Sequence, residues 1–297
     1  MTIRIYLAAA AVLLVAAPLA DASQNLSKRA NVAADVAIDV SNIEGRVDVT
    51  GWDRNEVELT ASLESDKDRL EFEATERQVR IKVVRPDRHF NGADNAILVL
   101  KVPKGARLSA ETVSADISVS GVLGEQRLGS VSGEVRTQAY DAPVKLSTVS
   151  GDGTISGTGG KAAVSVESVS GQISATGIRG SYDGEVVSGD LKIDLTAGER
   201  LNARSISGDI HVHVELMAAA RVEMQTVSGT IKMTMKPPIN AEFDLETFSG
   251  DIGACFGPEA RSKNRYGPGS ELSFTQGSGG ARVGVESLSG DISICDR

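Results

Sequence analysis

Apolar and polar residues alternate along much of this chain in short runs, the period-two signature of β-strands with one buried face. Around Gly171 the alternation changes phase: Val164 and Val166 share one parity, while Val169 and Ile173 share the other. Strict alternation keeps one face inward, so the phase change predicts a corner near Glu167-Ser168, with Val169 and Ile173 inward beyond it. The same shift separates Phe243 and Leu245 from Phe248 and Ile252, and Val283 and Val285 from Leu288 and Ile292. Each unit therefore reads as two short strands, a bend between them and a turn back.

The unit repeats. Val113-Ser114-Ala115-Asp116-Ile117 is followed by Val131-Ser132-Gly133-Glu134-Val135, Val149-Ser150-Gly151-Asp152 and Val169-Ser170-Gly171-Gln172-Ile173. Val187-Ser188-Gly189-Asp190-Leu191, Ile206-Ser207-Gly208-Asp209-Ile210 and Val227-Ser228-Gly229-Thr230-Ile231 continue it, and Phe248-Ser249-Gly250-Asp251-Ile252 and Leu288-Ser289-Gly290-Asp291-Ile292 close it. From Ser114 to Ser249 the motif serines step by 18, 18, 20, 18, 19, 21 and 21 residues. A repeat of 18–21 residues built from short strands predicts an all-β, single-stranded parallel β-helix (a β-solenoid) of about ten coils. Equivalent aliphatic side chains then stack at about 4.8 Å per rung in a rod roughly 45 Å long. The motif glycines Gly133, Gly151, Gly171, Gly189, Gly208, Gly229, Gly250 and Gly290 take the parity of the motif Val and Ile. Lack of a Cβ there suits a bend, or close approach to the wall opposite. On this register Ile173 and Val227 both point into the core.

The flanks divide the chain further. Ile38, Val40, Ile43, Gly45, Val47 and Val49 reproduce the interior positions, so residues 34–52 read as a divergent first coil. Residues 53–106 carry longer alternating strands at Val57 to Leu59, Leu70 to Ala74, Val79 to Val84 and Ile97 to Val102. These predict antiparallel cap strands that cover the open end of the solenoid. Regular coils fill 107–297, and the 40-residue interval from Ser249 to Ser289 implies a hairpin insertion at about 256–285. Together, residues 23–297 read as one β-solenoid domain. Ahead of them Arg4, the apolar run Ile5 to Ala17 and the small-x-small site Ala20-Asp21-Ala22 read as a signal peptide over 1–22. That run is shorter than the roughly 20 residues a helix needs to span a bilayer, so no membrane insertion is expected after cleavage. The mature chain is expected to be exported, to the periplasm first and to the cell surface or medium second.

Composition narrows the partners. Forty acidic residues against 31 basic ones, a net charge of −9, argue against nucleic acid. Aromatics make up 4% of the chain, a poor endowment for stacking on sugars or bases.

The bacterial putative-adhesin domain of unknown function is the family these features resemble. The resemblance is carried by the Ser-Gly-Asp-Ile repeat, by Gly51-Trp52-Asp53 after the first coil, by Val102-Pro103-Lys104-Gly105 before the array, and by the late Tyr266-Gly267-Pro268-Gly269 ahead of Glu271-Leu272-Ser273-Phe274. It spans about residues 34 to 295, implies a β-solenoid, and supplies no catalytic residues.

Candidate chemistry is sparse. Cys255 and Cys295 each lie five residues after a motif glycine. If one coil with an insertion separates them, they occupy adjacent rungs with Cα atoms roughly 5 Å apart, within disulfide reach. An intervening coil would place them roughly 10 Å apart, beyond reach. Export favours the bond, which would staple the C-terminal rung. Asp190 and Asp209 stack on successive rungs, as do Asp251 and Asp291 if their coils are neighbours, and Asp116, Glu134 and Asp152 extend the column. Such a ladder repels itself, and Ca²⁺ would relieve it; the alternative is a solvated turn in which Asp and Ser satisfy backbone N–H groups. His211 and His213 share an outward strand face with Asp209 and Glu215, an arrangement that reads as a polar face before it reads as a metal site. No nucleophile elbow, zinc signature or phosphate loop occurs, so neither catalysis nor a cofactor is expected. Two functions remain. One is an adhesin-like binding module that presents a rigid surface, or the loop Phe256 to Ser270, to an envelope protein or glycan. The other is a periplasmic scaffold that self-associates or supports the envelope under stress. An exposed apolar patch on one face would favour the first.

Overall fold

The computed structural model describes residues 24–85, 95–262 and 268–296. The leader expected over 1–22 lies outside the described residues, as does the 263–267 part of the expected insertion. Among the described residues every regular element is a β-strand, and no helix is long and apolar enough to cross a membrane.

The strands stack in parallel pairs, two to a coil, around one apolar core. Arg107–Thr112 and Asp116–Ser120 form one rung, bonded in register to Gln126–Ser130 and Val135–Ala139, which in turn carry Val144–Thr148 and Gly153–Gly157. The next coils run together into longer strands, Lys161–Ser170, Ile173–Ser188, Leu191–Ser207 and Ile210–Ser228, before Ile231–Met235. The last three of these four long strands each serve two successive rungs, the second strand of one coil and the first of the next. The architecture is the parallel β-solenoid that the repeat predicts.

Aliphatic columns fill the interior. Val144, Val164, Tyr182, Leu201 and Val222 stack along the axis, and Ile173, Leu191, Ile210 and Ile231 form a second column on the other strand, all of them buried. Tyr182 enters the aliphatic stack because Gly184 makes room: a Cβ at Gly184 would lie 2.6 Å from the tyrosine ring. Burial holds the Tyr182 hydroxyl neutral, its pKa raised above the ordinary tyrosine value.

The corner lies further along the chain than the phase change predicts. Val164, Val166 and then Ser168 face inward, and the bend runs from Val169 to Gln172. Val169 is 47% exposed and Val227 45% exposed, so the motif aliphatics point to solvent, which corrects the inward placement of both. The place assigned to them belongs to a small hydroxyl residue. In the early coils its side chain closes the bend: Gly133 N–H donates to Ser130 Oγ and Gly151 N–H to Thr148 Oγ1, both at 2.8 Å. A valine can make no such bond.

The motif glycines are needed for contact between rungs, not across the core. A Cβ on Gly208 would lie 2.1 Å from the carbonyl oxygen of Gly189, and its φ of +155° is itself a conformation that suits glycine. The other seven motif glycines meet the backbone of a neighbouring rung at 2.0–2.4 Å in the same way.

Both ends of the rod depart from sequence order. The first coil, Ala37–Asn42 with Gly45–Trp52, lies between the 107–120 rung and an outer rung made by Gln78–Val84 and Ala96–Pro103. These outer strands thus run parallel to the first coil on one side. On the other they pair antiparallel with Arg69–Ala74 and Glu56–Leu63, the second of which also carries Gln24–Asn31. Glu58 ties this cap together by ion pairs to Arg29 at 2.7 Å and Lys101 at 3.0 Å. The hydrogen bond from Lys101 is the main cause that holds its carboxyl below the usual range. At the far end, Ala281–Ser289 and Ile292–Cys295 insert between the Ile231–Met235 rung and the coil Ala241–Ser249 with Ile252–Ala254. The outermost rung is therefore the penultimate coil in sequence, capped by the antiparallel strand Ser270–Gln276 and an aromatic cluster of Phe243, Phe256 and Phe274. A disulfide joins Cys255 to Cys295, with Cα atoms 4.9 Å apart, and ties the last coil to that outer rung.

Two stability predictions follow from this register. Ile173→Asp should lower stability by roughly 3–5 kcal/mol through an unpaired buried charge, whereas Val227→Asp should stay within about 1 kcal/mol of the parent. Thermal melts followed by circular dichroism decide it; equal losses would refute the exposed placement of Val227. Replacing both cysteines by serine should cost about 4 kcal/mol on the chain-entropy account of a loop this long, measured as a fall in the denaturant midpoint.

Candidate binding groove

Ordinary strand alternation would put every other residue of each coil in water and give the surface a polar face. One column breaks this rule. Val113, Val131, Val149, Val169 and Val187 are 42–47% exposed on five consecutive rungs, and Ile206, Val227, Leu288 and Phe248 continue the row at 45–56% to the outermost coil. At about 4.8 Å per rung the row is about 38 Å long.

Two positions earlier in each coil, another outward column runs alongside it: Glu111, Gly129, Ser147, Glu167, Glu185, Arg204, Gln225, Glu286 and Glu246. The side chains of both columns line a concave axial groove of about 1270 Å³. Polar links run along its wall. Arg204 donates to Glu185 at 2.9 Å and to Gln225 at 3.3 Å, Gln225 donates to Glu286 at 3.2 Å, and Lys145 pairs with Glu167 at 2.7 Å. The residues between the columns form the floor. Thr112, Ser130, Thr148, Ser168, Ser205, Thr226, Ser287 and Thr247 are all buried there, with Val186 the exception to the hydroxyl rule. Thr112 donates to Ala115 O at 2.8 Å and Thr148 to Gly151 O at 3.1 Å. In the later coils Gly189, Gly208, Gly229 and Gly290, all with positive φ, turn their N–H toward the next rung, as in Gly208 N–H to Ser228 O at 3.1 Å. The hydroxyls of Ser168, Ser205, Thr226 and Ser287 are then buried without a partner.

Beyond the apolar row lies the motif-acid column. Asp190 Oδ1 accepts the N–H of Asp209 at 3.0 Å, Asp209 Oδ1 that of Thr230 at 2.8 Å, and Asp291 Oδ1 that of Asp251 at 2.9 Å. Asp116 and Asp152 make the same bond to Glu134 and Gln172. These carboxylates thus act as rung-to-rung backbone acceptors, the turn chemistry weighed against Ca²⁺. No cluster of three or more His, Cys, Asp or Glu residues able to hold a metal exists among the described residues. His211 and His213 lie outward on the second strand of their coil, with Lys192 and Asp194 on one neighbouring rung and Lys232 and Thr234 on the other, away from the groove.

The profile of the Toastrack DUF4097 family matches residues 32–295, from the start of the first coil to the disulfide in the last. The chain belongs to that family. Its solenoid, its motif glycines and its acid ladder all fall within the matched span of the Toastrack profile. No curated protein matches. Among solved structures, a putative adhesin from Bacteroides fragilis is similar at 10% identity, covering 92% of this Toastrack chain and 98% of its own, with a TM-score of 0.45. A putative lipid binding protein from Parabacteroides distasonis is similar at 11% identity over 92% and 96%, with a TM-score of 0.41. A putative cell adhesion protein from Clostridium sporogenes covers 93% and 100% at 10% identity, with a TM-score of 0.25.

The groove residues were missed because an apolar residue in an alternating run is assigned inward by default. A signal was nevertheless present: the residue before each motif aliphatic is Ser or Thr in every repeat from Thr112 to Ser287 except Val186.

The acid ladder yields its own test. Asp209→Ala should cost roughly 1–2 kcal/mol by stranding the Thr230 N–H, and Asp209→Asn, which keeps an acceptor oxygen, should recover most of it. Millimolar Ca²⁺ should leave the melting temperature of the parent unchanged. A marked Ca²⁺-dependent rise would turn the ladder from a structural device into a site.

Proposed function

We propose that this chain is a non-catalytic, exported binding module of the cell envelope, whose axial groove holds an elongated partner. One observation carries the reading: an exposed apolar side chain, aliphatic on eight rungs and Phe248 on the outermost, recurs on nine consecutive rungs, where a solvated strand face would carry polar residues. The row forms one wall of a groove and is continuous along the rod. Contiguous apolar surface of this extent marks interaction sites on soluble proteins. The scaffold supports the role, since each rung is fixed by two neighbours and the groove is built on strands, not loops. Export rests on the leader read over 1–22, and the periplasm is the compartment where a cleaved chain of this kind would meet envelope partners. The disulfide accords with an oxidising compartment.

The test compares the parent with a triple variant, Val169→Lys, Val187→Lys and Ile206→Lys, all at exposed positions. Both are cross-linked in envelope extract and examined by sedimentation. A partner captured by the parent and lost by a variant that melts like it supports the groove. Capture that survives the substitutions would show that another surface binds. Concentration-dependent self-association of the parent, abolished in the variant, would move the assignment to a self-assembling scaffold.

A further inference from the structure

The kind of partner can be read from what the groove leaves unsatisfied. Its apolar row runs between two acidic ones: the wall that includes Glu167, Glu185 and Glu286, and the motif column that includes Asp190, Asp209 and Asp291. Arg204 and Lys145 each pair with a wall glutamate, but the surroundings of the row stay negative, and the whole chain carries −9. Like charges repeated at rung spacing repel one another and would equally repel a second groove laid face to face. Charge complementarity therefore calls for an apolar stripe with cationic residues on both flanks. A glycan fits poorly, since Phe248 is the only aromatic residue among those lining the groove.

The backbone decides the conformation of that partner. Rung-to-rung hydrogen bonds already engage the N–H and C=O groups of the groove strands. A β-strand laid along the axis would find few free partners there and would bury its own polar backbone unpaired. An α-helix brings its backbone bonds with it. Spacing agrees: apolar side chains on one helix face recur at about 5.2 Å along its axis, close to the rung repeat of about 4.8 Å, whereas same-face residues of a strand recur at about 6.7 Å. A volume of about 1270 Å³ over this length gives a mean cross-section of about 33 Å², room for the side chains of one helix face but not for a whole helix.

We infer that the groove takes an amphipathic α-helix of a partner protein, about 25 residues long, with a leucine-type stripe flanked by lysine or arginine. The inference rests on the groove being the binding surface. It is tested by calorimetric titration of the purified chain with synthetic 25-residue peptides: a helix with a leucine stripe flanked by lysine, the same helix flanked by glutamate, and a strictly alternating leucine–lysine strand former. The lysine-flanked helix should bind at least tenfold more tightly than either control, and more weakly in 0.5 M salt. Val169→Ser, Val187→Ser and Ile206→Ser combined should weaken it at least tenfold. Glu167→Gln, Glu185→Gln and Glu286→Gln combined should weaken it and flatten its salt dependence. Equal binding of the strand former, or indifference to the serine substitutions, would overturn the helix. So would a parent dimer that the serine variant cannot form, or a glycan whose capture the serine variant loses. If the lysine variant still loses its cross-linked partner while the peptides show no preference, the groove stands as a binding surface and only the helix falls.

Discussion

Each coil of the rod depends on the distance to the next. Backbone hydrogen bonds fix that distance at about 4.8 Å, and at the bend the spacing leaves no room for a β-carbon between consecutive rungs. Gly208 against Gly189 shows the constraint plainly, because a methyl there would sit 2.1 Å from a carbonyl oxygen. The glycine column, the carboxylates that accept the next rung's N–H, and the hydroxyls that close the early bends all answer to this spacing. The core is aliphatic because columns of Val, Ile and Leu tolerate repetition at one rung spacing. A larger residue such as Tyr182 enters only where Gly184 gives way.

The same constraint produces the groove. Ser168 and its equivalents fill the inward place just before the bend, and the outward residues on either side of them, in register from rung to rung, line one continuous axial groove. An aliphatic residue at the outer edge of the bend stays half in water whatever its chemistry. Its retention on rung after rung is therefore hard to explain by folding, and the binding proposal begins from that point.

Much of this was legible in the chain. The 18–21-residue period gave the coils, and the equivalent positions of Cys255 and Cys295 allowed a disulfide if one coil with an insertion separated them, which is the arrangement found. Alternation located the inward residues of the straight segments, Val164, Val166 and Ile173 among them. It failed across the bend. A corner of four residues can change strand phase in more than one place, and hydrophobicity favoured the wrong one, with Val169 inside and Ser168 out. In the early coils the inward Ser130 and Thr148 accept a bend N–H, turn chemistry that a hydropathy pattern cannot register, and the later coils keep a small hydroxyl residue such as Ser168 at the same place although it bonds nothing there. The order of the end rungs was hidden for another reason. Which of two similar coils lies outermost depends on where an excursion returns, and Ala281–Ser289 fits either side of Ala241–Ser249 by pattern alone.

The two interleaved ends restrict how an array like this one can change length. The first coil in sequence is held between Gln78–Val84 and Arg107–Thr112, and the last between Ile231–Met235 and Ile252–Ala254. A repeat duplicated next to either would have to displace a rung already bonded on both faces. A repeat duplicated in the middle, between about residues 107 and 235, would only push two intact caps further apart. Growth by internal insertion would lengthen the groove one apolar residue at a time and leave both ends as they are, so the length of the groove is free to change while the caps stay constant.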